Sequence, residues 1–368
     1  LSDSNTVHIH YFLNLSINQN LDITKVSKPL PPSFSDYHDY KGYLSEVLKS
    51  LAQNAASSER NVRYSPIVFS SNGYDSVACA ALGREIGCTE AVVFESKRKN
   101  RSDSGKEAVL ALGYETIHEK HELDYLKTNC SEEFVAGGEL GTSIFFAAAE
   151  KELEGKLLLS GVHGDKIWDR NCQTAGEDII RSFFPDTAKT EFRLRVGYQQ
   201  IPIPFIGVLN HRDVHQISNS DQMAPWSIRE EYDRPIPRRI AEEKGVPREA
   251  FGIEKVGGAA SSLRFLSLGY LKKVMPPKSF EDFKQYYETN KSQRKKSIHY
   301  FIRFKLYSIY CLTVFLNKLH LTVFERIMRV NKWNRKYTCS PWAPSFLLHW
   351  GVEKLGRKYS EGLMNFKK

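Results

Sequence analysis

Apolar positions along this chain repeat with two different periods, and their alternation predicts a sheet interleaved with helices. Residues 40–55 carry Tyr43, Leu44, Val47, Leu48 and Leu51 at helical spacing. Ile67, Val68 and Phe69 then form a short unbroken apolar run, as expected of a strand buried on both faces. Val77, Ala78, Ala81, Leu82 and Ile86 return to the helical period, and Gly87 ends it. The alternation continues with a strand over 91–94, a helix over 104–112 closed by Gly113, a strand over 115–117, a helix over 139–152 and a strand over 156–159. This order predicts an α/β fold, a parallel twisted sheet with helices on both faces.

The flanks read differently. Residues 7–15 predict a strand, and the Pro-rich stretch 27–34 an extended linker. Residues 176–265 read as mainly helical with proline breaks. Beyond Pro277 the chain becomes helical and rich in Lys, Arg and aromatics, so three regions are expected: 1–38, 39–275 and a helical C-terminal extension over 276–368. Residues 306–316 run without a charge but are too short to span a bilayer. The surrounding stretch 297–330 fits a core helix pair, a basic surface lying on an anionic membrane, or a nucleic acid contact.

Charge sharpens this division. The net +9 splits into +14 from residue 291 onward and −5 before it, so the body itself carries no basic footprint for nucleic acid. Six scattered cysteines with no CxxC pair argue against a zinc ribbon and against thiol-dependent RNA-modifying chemistry, and predict a reducing cytoplasmic setting, with peripheral membrane contact open through the basic tail. No solenoid repeat is present.

Candidate chemistry concentrates where the 67–69 strand meets its helix. Ser70, Ser71, Asn72 and Gly73 supply hydroxyls and small or left-handed-tolerant residues, followed at once by a helix N-terminus whose partial positive charge suits a pyrophosphate. Neither a Walker Gly-Lys-Ser/Thr ending nor GxGxxG is present. The hexamer Ser71-Asn72-Gly73-Tyr74-Asp75-Ser76 resembles the SGGxDS signature of PP-loop ATP pyrophosphatases, with Asn72 in place of a glycine.

Two further segments follow in the order seen in the asparagine synthetase-like branch of that family, which includes β-lactam synthetases. Leu159-Ser160-Gly161-Val162-His163-Gly164-Asp165-Lys166 resembles its LSGEGADE loop, with Val162 and Lys166 replacing glutamates. Pro247 through Lys255 and Gly257 resembles its LPxxIxxRxKxG segment, with Ile253 where arginine is usual. Arg239 and Ala241 match a preceding LR-x-A helix, and Asp221, Met223, Ala224 and Arg229 a D-x-M-A and E-x-R stretch with Ser227 in place of the glutamate. The resemblance covers roughly residues 40–265.

It implies an ATP-dependent ligase or amidotransferase that adenylates a carboxylate and passes it to ammonia or an amine. Ser71, Asn72, Gly73, Asp75, Ser76, Ser160 and Gly161 would meet the nucleotide's phosphates, and the main chain at Val93 and Phe94 its adenine. Asp75 and Asp165 would hold Mg²⁺, and Lys255 would face the acyl-adenylate. His163 is a candidate base beside the same loop. No glutaminase domain with its catalytic cysteine precedes Cys79, so that domain has been removed, resides on a separate subunit, or is replaced by direct use of ammonia or an amine. A PP-loop enzyme acting on a nucleobase or tRNA, and a degenerate nucleotide-binding relative, remain open alternatives at this point.

Overall fold

The short apolar runs form the centre of the protein because each is covered from both sides. The computed structural model describes residues 13–27, 30–95, 97–98, 101–136, 141, 143–172, 175–176, 190–252, 263, 267–294, 305, 308, 312 and 343–366. Numbered along the chain, the strands are β1 (Leu13–Ile17), β2 (Ile23–Ser27), β3 (Ser65–Ser70), β4 (Glu90–Glu95), β5 (Lys97–Arg98), β6 (Arg101–Ser102), β7 (Thr116–His121), β8 (Lys156–Ser160) and β9 (Gln199–Pro202). Five of them make the main sheet in the order β7-β4-β3-β8-β9, with every neighbouring pair parallel.

Alternate side chains feed two cores. Val68, Ala91, Val93, Leu157 and Leu159 face a layer containing α1 (Tyr37–Ala56), α2 (Tyr74–Glu85), α3 (Lys106–Ala111), α6 (Gly164–Ile167), α8 (His211–Ser218) and α9 (Pro235–Glu242). Ile67, Val92 and Leu158 face the other, with α4 (Ser131–Val135), α5 (Glu150–Leu153), α7 (Thr190–Val196), α10 (Leu268–Val274), α11 (Pro277–Arg294) and α12 (Ala343–Phe366). The α/β expectation is therefore met at the level of a parallel sheet covered on both faces.

The described ends of the C-terminal region belong to this second layer. Phe283 on α11 and Phe346, Leu347 and Trp350 on α12 are buried against it. Lys354 and Lys358 of α12 pair with the fully buried carboxylate of Glu132 on α4. Only residues 305, 308 and 312 of the uncharged run and its basic surroundings are described, so the membrane-surface reading of that stretch lies outside the described residues. Among the described residues, no helix is long and apolar enough to cross a membrane.

Two expectations are corrected. Gln199–Pro202 is a strand inside a region read as mainly helical. It sits at the sheet edge, where only one side pairs, so Pro202 with no N–H is tolerated and the apolar pattern is weak. Among the described residues of 139–152, Ile144–Ala149 is a 3₁₀ segment and α-helix begins only at Glu150, running to Leu153. Of the strand expected over 7–15, residues 13–15 fall in the exposed β1–β2 hairpin, and 7–12 lie outside the described residues.

Candidate functional site

The chain leaves β3 to build β4 and β7 on one side, then returns to build β8 and β9 on the other, so the strand order reverses between β3 and β8. Ligands of open parallel sheets bind in the crevice at the carboxyl ends of such strands. The loop of residues 71–76 occupies that place, because β3 ends at Ser70 and α2 starts at Tyr74.

Its two serines tie the turn together. Ser71 Oγ lies 2.9 Å from Ser76 Oγ, the Ser71 amide donates to Ser76 Oγ at 3.1 Å, and the Gly73 amide donates to Ser71 Oγ at 3.3 Å. Neither Asn72 nor Gly73 adopts the left-handed backbone the sequence suggested; Gly73 is extended, with φ −78°. Left-handed geometry appears instead at His163, φ 66°, in the facing loop, where its ring packs edge-on against Phe205. The Asn72 side chain turns away to donate to the Ser102 carbonyl at 3.0 Å, so it pins the neighbouring segment instead of projecting into the turn.

The second loop lies directly on the first. A Cβ on Gly161 would come within 2.7 Å of the Asp75 backbone, and one on Gly164 within 2.3 Å of the Asp75 carboxyl carbon. Only glycine allows this approach, which explains why a Gly-x-x-Gly spacing faces an aspartate in the first turn of α2. Asp75 accepts a hydrogen bond from the guanidinium of Arg234, whose side chain is 3% exposed. Burial works to lower the Arg234 pKa, but the charge and hydrogen bond of Asp75, together with Tyr232 and Asp165, outweigh it and the net direction is up.

A cavity of about 310 Å³ opens here, lined by Ser71, Gly73, Asp75, Ser76, Phe94, Ser160 and Gly161 among the residues expected from sequence. Asn72 and Val93 are not on its lining. Its apolar wall is four rings: Phe69 stands 5.3 Å from Phe94 and 4.7 Å from Phe146, and Phe145 stands 5.0 Å from Phe94 and 4.9 Å from Phe146. Asp103 and Glu122 complete the rim. The cavity thus sets an apolar aromatic wall against a polar loop.

The two aspartates differ as metal ligands. Asp75 faces the cavity, while Asp165 is exposed on α6 and off the cavity lining. Among the described residues no three His, Cys, Asp or Glu groups gather around a metal position. This donor set suits Mg²⁺ shared between one carboxylate and a ligand's phosphates, the common arrangement for that ion, and not a cage made by protein alone.

Lys255 lies outside the described residues, but the chain leading to it is anchored at the site. The Gly252 amide donates to the Asn72 carbonyl at 2.7 Å. Gly252 has φ 65°, and a Cβ there would fall 2.3 Å from the Tyr74 ring.

Sequence reading missed Arg234, Tyr232, Asp103, Glu122 and the Phe145–Phe146 pair. Arg234 precedes α9, on which Pro235 through Ala241 are all buried, Arg238 and Arg239 included. Arg238 donates to the Tyr74 hydroxyl, and Arg239 lies between the rings of Tyr37 (3.9 Å) and Trp226 (4.3 Å). The one available signal was three arginines within six positions among prolines and isoleucines, an arrangement too charged for a buried helix unless each cation meets a partner. Burial pushes the thiols of Cys88 and Cys130 up, to about 11 and about 12, which removes both as nucleophiles. No family model matches the chain, and no curated protein matches it.

Proposed function

We propose that this chain is an ATP-dependent, AMP-forming carbon–nitrogen ligase of the asparagine synthetase-like PP-loop kind, which adenylates a carboxylate and passes it to ammonia or an amine. The observation that carries the reading is the seating of the 71–76 loop at the reversal point of a parallel sheet, against the Gly161–Gly164 turn and beside an aromatic-walled cavity. A carboxylate is a poor electrophile, and transfer of AMP converts it into a mixed anhydride that nitrogen attacks. The residues' task is to hold ATP so that its α-phosphate meets the carboxylate and pyrophosphate leaves.

The first N–H groups of α2, which have no acceptor within the helix, and the hydroxyls of Ser71 and Ser76 would take the charge of the departing pyrophosphate. Ser160 and Gly161 form the opposite lip. The base would rest on the phenyl wall, with the β4 main chain at Phe94 supplying polar contacts; Val93, off the lining, would not reach it. Bound Mg²⁺ would neutralise phosphate charge from the Asp75 side. Lys255 would stabilise the adenylate, and nitrogen would arrive as ammonia, as an amine or from a separate glutaminase subunit. Contact with an anionic membrane surface is part of the proposal only for the basic stretch near 291–342.

Exchange of labelled pyrophosphate into ATP across a panel of carboxylates, read together with AMP release on adding amines, tests this function. Carboxylate-dependent exchange supports it. Orthophosphate as the only product refutes it. Lys255→Ala should retain ATP binding and slow exchange roughly a hundredfold, about 3 kcal/mol of barrier, the usual scale for one positioned charge.

A further inference from the structure

A carboxylate that lines a phosphate cavity repels its ligand unless a cation accompanies it. Asp75 is in that position. Its companion is already built in, since Arg234, which is not among the lining residues, sits at the N-terminal end of α9 and donates to Oδ2. The Arg234 guanidinium stacks over the Tyr232 ring at 4.9 Å, and Asp165 adds to the acidic field that holds it charged. Its Nε has no hydrogen-bond partner among the described residues, although the side chain is almost fully buried. The arginine is fixed from below by the next residue back. Asp233 is buried and accepts from the Ser227 hydroxyl at 2.5 Å and the Arg229 amide at 3.0 Å. A buried guanidinium bonded to the carboxylate that lines the cavity, with a donor to spare, does more than balance charge in a core.

We propose that Arg234 is the resident counter-cation of the phosphate site, positioning Asp75 and cancelling its charge, so that the loop binds a pyrophosphate group without a divalent metal at the Asp75 position. This rests on reading the 71–76 loop as a phosphate site. It adds that the metal serves the reaction and not the initial capture of the polyphosphate.

The probe is inorganic pyrophosphate, titrated calorimetrically into the full chain in excess Mg²⁺ and, separately, in EDTA. The wild type should bind in both media with similar affinity. Arg234→Gln should lose about twentyfold in EDTA, the scale of one uncompensated charge some 8–10 Å away at an effective dielectric constant near 20. Mg²⁺ should restore most of that loss, because a metal can then take the vacated place. Arg234→Lys, which keeps the charge, should stay near wild type in EDTA. Asp75→Asn/Arg234→Gln removes both charges, protects the fold from a buried unpaired carboxylate, and should regain binding in EDTA. Binding by the wild type only in Mg²⁺ overturns the inference and leaves the phosphate site intact. Equal loss by Arg234→Gln in both media overturns it too, by reducing Arg234 to a structural role. Absence of binding in either medium overturns the phosphate-site reading along with it.

Discussion

Replacing Gly252 by alanine tests how the chain toward Lys255 is attached to the loop. Two costs are separable. Gly252 has φ 65°, and holding an L-residue there costs about 1 kcal/mol. The added methyl would also stand 2.3, 2.5 and 2.8 Å from three atoms of the Tyr74 ring. That ring is fully buried, leans on Tyr232 and Phe251 at 4.8 and 5.9 Å, and carries the Arg238 guanidinium at 4.8 Å, so it has nowhere to retreat. Overpacking of this kind costs about 1–3 kcal/mol, which brings the sum to about 3 kcal/mol. Gly245→Ala is the internal control. Its φ is 84° but nothing lies within 4 Å of the new methyl, so only the backbone cost of about 1 kcal/mol applies. Urea unfolding followed by circular dichroism measures both, and Gly252→Ala should lower the midpoint about three times as far as Gly245→Ala. Pyrophosphate exchange should fall in Gly252→Ala and not in Gly245→Ala, since only the first breaks the amide contact with the Asn72 carbonyl. Equal midpoints for the two variants would refute the close approach to Tyr74, and with it the seating of Gly252 at the loop.

Three further outcomes follow from other contacts. Glu85, in the last turn of α2, accepts from Lys41 at 2.8 Å and Ser45 at 2.7 Å and pairs with Lys244 at 2.9 Å; burial works to raise its pKa, but these partners prevail and bring it from 4.5 down to about 2. The stability from this group is therefore fully present above pH 4.5 and is lost as pH falls toward 2; the shift corresponds to about 3 kcal/mol, reduced to about 2 by solvent around the lysines, and Glu85→Gln should flatten the wild type's acid-side decline in unfolding free energy by that amount. Trp350→Ala should destabilise the whole chain by about 3–5 kcal/mol in urea, because the ring is buried in the second core against Phe283 of α11, whereas an α12 that merely decorated the surface would leave the midpoint unchanged. Asp75→Asn should weaken Mg²⁺-dependent ATP use while keeping pyrophosphate binding in EDTA, measured by the same calorimetry as above, and retained Mg²⁺ dependence would count against Asp75 as a ligand.

Local signals were enough for the elements that bury both faces or one clean stripe. The runs at 67–69, 91–94 and 157–159 became β3, β4 and β8 because an unbroken apolar stretch has no stable place except inside a covered parallel sheet. The start of α2 at Tyr74, the stop at Gly87 and the serines of the loop were equally legible, since each depends on its immediate neighbours. What only the tertiary structure decided is which distant residues meet. Arg234 reaches Asp75 across 159 positions, Gly252 reaches Asn72, and the Phe145–Phe146 pair closes the cavity against Phe69 and Phe94. No period or turn rule encodes such pairings; they follow from the handed, parallel stacking of β3 and β8, which brings the carboxyl ends of strands far apart in sequence to one edge. The edge strand β9 escaped for a related reason, because its stability comes from the partner strand's hydrogen bonds and not from a hydrophobic pattern of its own.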